Sequence, residues 1–434
     1  MKRYFHLLLL LILPLAAAGQ TLSSFTVEQA VQYAREHSAP LLNSRLSRQI
    51  SVAEVGRLQR QWQPQVSGTA DFRYNPILQT TLLPAEFVGG TPGKLEEVRF
   101  GTNFSSTLAV LVQQKVYDPV FRLQRERLEL DGRQAALEEQ YEQQLAELQV
   151  VAAYYQAVLS QEIYQNTQSL LASLGQLRHD VQVRVEEGLA DPVILNNLTQ
   201  QYRQQQAQAV TDSLNGEIAL AGLKLEMNFP ADNPLQLVDS VAVAWSDTLS
   251  LNPDDNLDLQ KIGLQLEQSR NTVARLKQSR LPTVNAEGYL GAQFYSNNPE
   301  FYDLSRWYGL SYIGLTANVP LYDGGDKSEG EQIEQLRMEQ LRNQSAAYRR
   351  QQENKSARIA LQLERSRVQA RLAEQAMETA RQNLELARFN YTNGEAGFQP
   401  VYDALQALVQ ARGQLLSAKA SYVQALLEGR LLDI

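Results

Sequence analysis

Apolar residues recur at intervals of three and four through residues 119–187. Leu137, Tyr141, Leu145, Leu148, Ala152, Tyr155, Leu159 and Ile163 therefore share one helix face. Asp118-Pro119 opens the run with a side-chain acceptor and a residue of preset φ. Gly188-Leu189-Ala190-Asp191-Pro192 closes it, a glycine and then a proline. At about 1.5 Å per residue this predicts a rod about 100 Å long, more than an ordinary globular domain needs. A second run of nearly equal length, 324–391, also lacks proline, ends at Asn393-Gly394 and is followed by Pro400.

The rest of the pattern falls around these two rods. Thr26-Val27-Glu28-Gln29 fits a capping box, starting a helix that Pro40 should kink or break and that ends at Trp62-Gln63-Pro64. Val66, Gly68, Ala70, Phe72 and Tyr74 then alternate with polar neighbours, the period of a strand over 65–75. A Gly- and Pro-rich loop, 75–99, separates it from a second strand over 100–113. Its Gly89-Gly90-Thr91-Pro92-Gly93-Lys94 lacks the spacing, the following Ser or Thr and the strand-to-helix setting of a phosphate loop, so it reads as an exposed hairpin loop. Beyond Pro192 a further helix extends to about Met227, and 228–252 reads as a linker with room for one short strand, Val241-Ala242-Val243 being a Val-rich patch in it.

After the linker the order begins again. Asn252-Pro253-Asp254-Asp255 should cap a helix ending at Leu281-Pro282, with strands at 283–295 and 307–320, the second rod, and a last helix from Val401. Pro64 matches Pro282, Tyr117-Asp118-Pro119 matches Tyr322-Asp323-Gly324, and Gly188 matches Gly394, at offsets of roughly 205 to 220 residues. Helix, strand, strand, long helix, turn, helix thus occurs twice, over 20–227 and 253–434, with 1–19 set apart.

That first segment has Lys2 and Arg3, the apolar stretch from Leu7 to Leu13 and small residues at Ala16-Ala17-Ala18-Gly19, the form of a signal peptide. It places the mature chain outside the cytoplasm. Net charge is −8 with mixed signs, a poor match to a phosphate backbone, so no nucleic acid is expected. No cysteine is present, which removes thiol chemistry, Cys-based metal sites and disulfides. His37 and His179 stand alone on helices, and no nucleophile elbow, catalytic dyad or nucleotide fingerprint occurs. The expectation is no catalytic residue, no cofactor, no metal, and no enzyme.

Four strands cannot close a barrel, yet they alternate apolar and polar as a barrel wall does. An open sheet cannot span lipid because its edge backbone groups would be unpaired. Oligomerisation resolves this, since three copies of four strands make twelve, an even number of the kind such barrels use. Trp307, Tyr308, Tyr312, Tyr74 and Phe72 are candidates for interfacial aromatic bands.

The duplicated order, Leu321-Tyr322-Asp323-Gly324-Gly325 at the entry to the second rod, and the tract from Tyr391 and Gly394 through Val401, Asp403 and Ala404 resemble the TolC family of outer-membrane efflux proteins over essentially the whole mature chain. The resemblance implies a mainly α protein with a small β part, a homotrimer with a 12-stranded barrel in outer-membrane lipid and a helical tunnel in the periplasm. It implies a passive exit duct for efflux or type I secretion, docking on a periplasmic adaptor and an inner-membrane RND or ABC pump. It makes Tyr117, Asp118, Pro119, Tyr322, Asp323 and Gly324 the junction of barrel and tunnel.

In the better-known members of that family the periplasmic end is narrowed by two rings of aspartate. Asp403 matches one; the other position is Pro400 here, so the double ring is not reproduced, and Glu395 is a partial substitute. Both turns, Gly188, Leu189, Asp191 and Pro192 with Gly394, Gly397, Phe398 and Pro400, become the adaptor-contact tips, Leu189 and Phe398 serving as anchors if exposed. The competing reading is a periplasmic coiled-coil adaptor without a channel. Adaptors carry a single hairpin, and here the hairpin comes twice beside strand pairs.

Overall fold

The capping box at Thr26 forms as its residues dictate. Gln29 N–H donates to Thr26 Oγ1 and Thr26 N–H donates to Gln29 Oε1, starting α1 (Val27–His37). The computed structural model describes residues 23–240 and 256–432. The signal segment, the Val241-Ala242-Val243 patch and Asn252 to Asp255 lie outside the described residues. Pro40 does mark a break: α1 ends before extended Ser38, and α2 (Ala39–Arg60) starts anew. In order there follow β2 (Gln65–Tyr74), β3 (Gln79–Pro84), β4 (Leu95–Phe100), β5 (Phe104–Tyr117), α3 (Phe121–Glu186) and α4 (Pro192–Met227). Then come β6 (Leu235–Leu237), α5 (Leu257–Gln278), β7 (Thr283–Ser296), β8 (Trp307–Asn318), α6 (Asp326–Thr392) and α7 (Phe398–Arg430), and a short strand β1 (Ser23–Phe25) precedes α1.

Three local readings change. The 75–99 stretch is not plain loop: β3 and β4 pair antiparallel from Gln79↔Phe100 to Pro84↔Leu95. Phe100 therefore ends β4, and the next strand begins at Phe104, because Gly101 takes a φ of +109° that breaks the extended run. The cap of α5 is Asn256, whose Oδ1 accepts from the Leu259 N–H at 3.1 Å. Helix α7 starts at Phe398, so Pro400 sits inside its first turn, where the missing N–H would have had no helical acceptor.

The chain divides into two compact units, each drawing on both halves of the sequence. One comprises residues 1–46, 137–260 and 347–434. Its first core joins Ala30 and Ala34 of α1 to Val150, Tyr154 and Val158 of α3, Leu223 and Met227 of α4, Leu235 of β6 and Val423 of α7. Strands β1 and β6 pair in parallel over it. Fully buried Tyr154 holds this region. Its hydroxyl lies 2.9 Å from the Phe25 carbonyl and 3.0 Å from Asp239 Oδ2, donating to one, and accepts from the Asp239 N–H. Asp239 Oδ2 also accepts from the Val27 N–H at 2.7 Å. The second core joins Leu174, Leu177 and Val181 of α3 to Leu198 of α4, Leu384 and Tyr391 of α6, and Val401, Leu405 and Leu408 of α7.

The other unit comprises residues 47–136 and 261–346. It holds a four-stranded antiparallel sheet in the order β2-β5-β7-β8. The helical segments beside it are tied by polar contacts: Asn271 Nδ2 donates to the Leu123 carbonyl, Arg133 pairs with Glu267 at 2.6 Å, and Arg280 with Glu331 at 2.7 Å. No helix among the described residues is long and apolar enough to cross a membrane.

Two predictions follow from the first unit. Burial pushes the Tyr154 phenol up to about 12 from 10.0, so the folded chain holds this proton more tightly than the unfolded one. Its contribution to stability is full below pH 10 and is lost as pH rises to about 12. Tyr154→Phe should cost about 1 to 2 kcal/mol at neutral pH and flatten that alkaline loss, read as the wild-type-minus-variant difference in denaturant midpoints by circular dichroism. At Gly394 the φ is +77°, so Gly394→Ala should cost about 1 to 2 kcal/mol in the same measurement.

Candidate functional site: sheet wall and helical tip

Residues directly opposite each other in a sheet share a face, so the register sorts every side chain. Val66, Ala70, Phe72 and Tyr74 of β2 lie opposite Val112, Leu108, Ser106 and Phe104 of β5. Leu108 and Val110 face Ala292 and Leu290 of β7, and Gly288 and Ala286 face Ile313 and Leu315 of β8. This face is almost wholly apolar, and it is bare: Leu290 is 67% and Ile313 93% exposed. The opposite face carries Gln65, Thr69, Asp71, Arg73, Gln113, Thr107, Glu287, Gln293 and Asn285. Asp71 and Arg73 pair there at 2.9 Å.

The aromatic candidates divide between the two faces. Phe72, Tyr74 and Trp307 lie on the apolar face with Phe104 and Phe294. Phe301, from the β7–β8 loop, sits 4.8 Å from Phe294 and 5.5 Å from Phe72 and buries the former completely. Tyr308 and Tyr312 instead lie on the polar face beside Tyr289 and Tyr295. Tyr289 and Tyr312 stack at 5.2 Å, and Tyr295 and Tyr308 approach to 6.3 Å. The five aromatic candidates therefore do not form one band on one face.

Where the sheet passes into the long helices, the same device occurs twice. Asp118 Oδ1 accepts from the Val120 N–H at 3.0 Å, and Asp323 Oδ1 accepts from the Gly325 N–H at 3.0 Å. That backbone donor holds the Asp323 carboxyl below the usual range. Each aspartate also pairs with a lysine, Lys115 and Lys327 respectively. Pro119 is half-buried, Tyr117 and Gly324 are exposed, and Tyr322 is 89% exposed. Gly324 and Gly325 both take positive φ, which this entry reaches with glycines where the other has Pro119 and Val120.

At the other turns the geometry is also duplicated. Gly188 N–H donates to the Val185 carbonyl and Leu189 N–H to that of Arg184; Gly394 and Glu395 do the same to Tyr391 and Asn390. Both glycines sit at φ +76° and +77°, a Schellman closure that a side chain would strain. Asp191 caps α4, accepting from the Val193 N–H at 2.8 Å, with Pro192 at the first helical position. Gly397 occupies the cap of α7 without a side-chain bond.

Arg184 lies over the Tyr391 ring at 4.1 Å, bringing the two turns together. Burial raises the Tyr391 phenol's pKa while the guanidinium acts against it. Asp403 is exposed and accepts from Gln399 Nε2 at 2.8 Å; Glu395 and Pro400 are exposed. Leu189 is 73% exposed, but Phe398 is half-buried against the second core and stacked on Tyr402. Gln201 Nε2 donates to Tyr402 Oη, a tie between α4 and α7 that no local pattern announces. Among the described residues no group of three His, Cys, Asp or Glu could hold a metal; His37 stacks on Tyr33 and His179 is exposed.

A family described as "Outer membrane efflux protein" matches residues 249–428. The chain is 23% identical over 441 residues to outer membrane protein TolC of Vibrio cholerae, covering 96% of this chain and 94% of the relative. The solved outer membrane protein VceC of Vibrio cholerae shares its fold with a TM-score of 0.70 at 14% identity, over 94% of this chain and 95% of that one. The MtrE outer membrane channel of Neisseria gonorrhoeae, in its open state, gives 0.71 at 15% identity, over 94% and 88%. With this fold, these paired junctions and that family match in the second half, the chain is similar to outer-membrane efflux proteins of the TolC kind and shares the fold of the solved outer-membrane channels.

Proposed function

We propose that the protein is the passive, homotrimeric exit duct of a tripartite efflux or type I secretion system, its helices forming a tunnel in the periplasm. The observation that carries this reading is the four-stranded sheet with one bare apolar face, one polar face and two open edges, β2 and β8. Because the strands alternate in direction, β8 of one copy runs antiparallel to β2 of the next. Copies can therefore continue the ladder until it closes, with the apolar face on lipid and the polar face around water.

The helices support the same arrangement. On α4, Val210, Leu214, Ile218 and Leu225 stand exposed at helical spacing, and on α6 Leu361, Leu372, Leu386 and Phe389 do likewise. Neighbouring copies would bury such stripes. The repeats 20–227 and 253–434, joined by 228–252, would place two helical hairpins from each chain around the tunnel. Asp403, with Glu395 near it, is the proposed constriction, where three carboxylates in a narrow space favour cations. The turns at Gly188 to Pro192 and Gly394 to Pro400 are the proposed contacts for a periplasmic adaptor, with Leu189 the exposed anchor. The inner-membrane pump, RND or ABC, would supply the energy. A coiled-coil adaptor without a channel is disfavoured by the bare apolar sheet face.

The cysteine-free sequence allows a direct test. A cysteine pair on the two edge strands, Thr69→Cys in β2 and Leu310→Cys in β8, should cross-link between chains and give a trimer band on non-reducing gels from outer-membrane fractions. A soluble monomer that never cross-links would sink the proposal. Asp403→Ala should raise single-channel conductance or weaken block by multivalent cations in planar bilayers. Unchanged conductance and block would remove Asp403 from the constriction.

A further inference from the structure

The polar face of the sheet holds more than a wetted wall. Tyr289 of β7 and Tyr312 of β8 lie directly opposite each other with ring planes 4° apart and centroids 5.2 Å apart, a stacked aromatic pair. Its position is enforced by Gly291, where a Cβ would come within 2.7 Å of the Tyr289 hydroxyl; the ring occupies the space a side chain would take. One row along the same face lies Glu287, opposite Gly314 on one side and Gln113 on the other. Two residues of strand, about 7 Å of backbone, separate Glu287 from Tyr289, whose ring leans the other way over Gly291. Directly opposite Glu287 on β8 stands Gly314, which has no side chain to cover it.

The charges on this face are unevenly engaged. Arg73 is paired with Asp71, and Lys115, one row beyond Gln113, is paired with Asp118. Among the described residues Glu287 makes no ion pair, so its carboxylate is the uncompensated charge on the face. A carboxylate with no ion pair on the same face as a stacked tyrosine pair suits one chemical class: a cation attached to an apolar aromatic body. Such a ligand gains Coulomb attraction from Glu287 and cation–π and dispersion contacts from the rings. An anion of the same shape gains only the dispersion.

We propose that Glu287, Tyr289 and Tyr312 form a recognition site for aromatic organic cations on the luminal wall of the duct. This rests on the channel reading given above and deepens it by naming a class of cargo. Tyr308 and Tyr295, farther along the same face, extend the aromatic surface toward the β7–β8 loop.

The test uses the full chain in planar bilayers, with tetraphenylphosphonium added from the sheet side. Tetraphenylborate serves as the anion of equal shape. Tetraphenylphosphonium should block the current at concentrations about tenfold below those at which tetraphenylborate does. Glu287→Gln should raise the blocking concentration of the cation about tenfold and leave that of the anion unchanged. Tyr312→Leu should weaken cation block severalfold, whereas Tyr312→Phe, which keeps the ring, should retain it; Tyr289→Leu repeats the measurement should Tyr312→Leu fail to insert. Equal block by the two ions, or variants that shift both equally, would overturn the site while leaving the duct intact. Absence of conductance from every form of the protein would overturn the duct reading itself.

Discussion

Backbone N–H and C=O groups cannot be left unpaired in hydrocarbon, where each costs several kcal/mol. A sheet ordered β2-β5-β7-β8 has two edges, each a row of such groups, and an apolar face that water does not favour. Either feature alone could be managed in a soluble protein by charges, a bulge or a covering helix. Together they leave lipid on one face and further strands at both edges as the arrangement that satisfies the chain. An even number of antiparallel strands makes the two edges complementary in direction, which is what allows identical copies to complete one another.

Much of this sheet was legible from alternation alone, because the strand period of two is the same whether or not neighbours are present. Val66 to Tyr74 and Val284 to Phe294 already separated into faces before any register was known. What alternation could not supply was a comparison across strands. Alternation within β8 separates Tyr308 and Tyr312 from Trp307, but only the pairing of Gln293 with Tyr308 and of Tyr289 with Tyr312 places them on the polar face, away from Tyr74. The β3–β4 hairpin was hidden for a different reason. Its residues are short runs among Gly and Pro, and its pairing depends on Gly101 turning at positive φ and on Asn75 bonding to Asn103.

The junctions and turns were legible wherever the backbone itself demanded a residue type. Gly188 and Gly394 could be found because a helix that ends in the left-handed region selects glycine, and Asp118 and Asp323 because a helix start needs an acceptor. Contacts made across the fold left no such mark. Arg184 over Tyr391 and Gln201 bonded to Tyr402 join residues about two hundred positions apart, and nothing near either member foretells the other. Asp403 is the intermediate case: its sequence position alone is that of an ordinary acidic residue near a helix start, and only likeness to a family lends it a role.

The tip combines two kinds of contact that differ greatly in cost. Val181, Leu198, Leu384, Val401 and Leu405 are buried together, and exposing any one of them would cost about 2 to 3 kcal/mol. The polar ties are cheaper: Gln201 to Tyr402, Gln399 to Asp403 and Arg184 over Tyr391 are each worth about 1 kcal/mol in net terms. The polar ties thus cost less to break than the apolar cluster costs to separate.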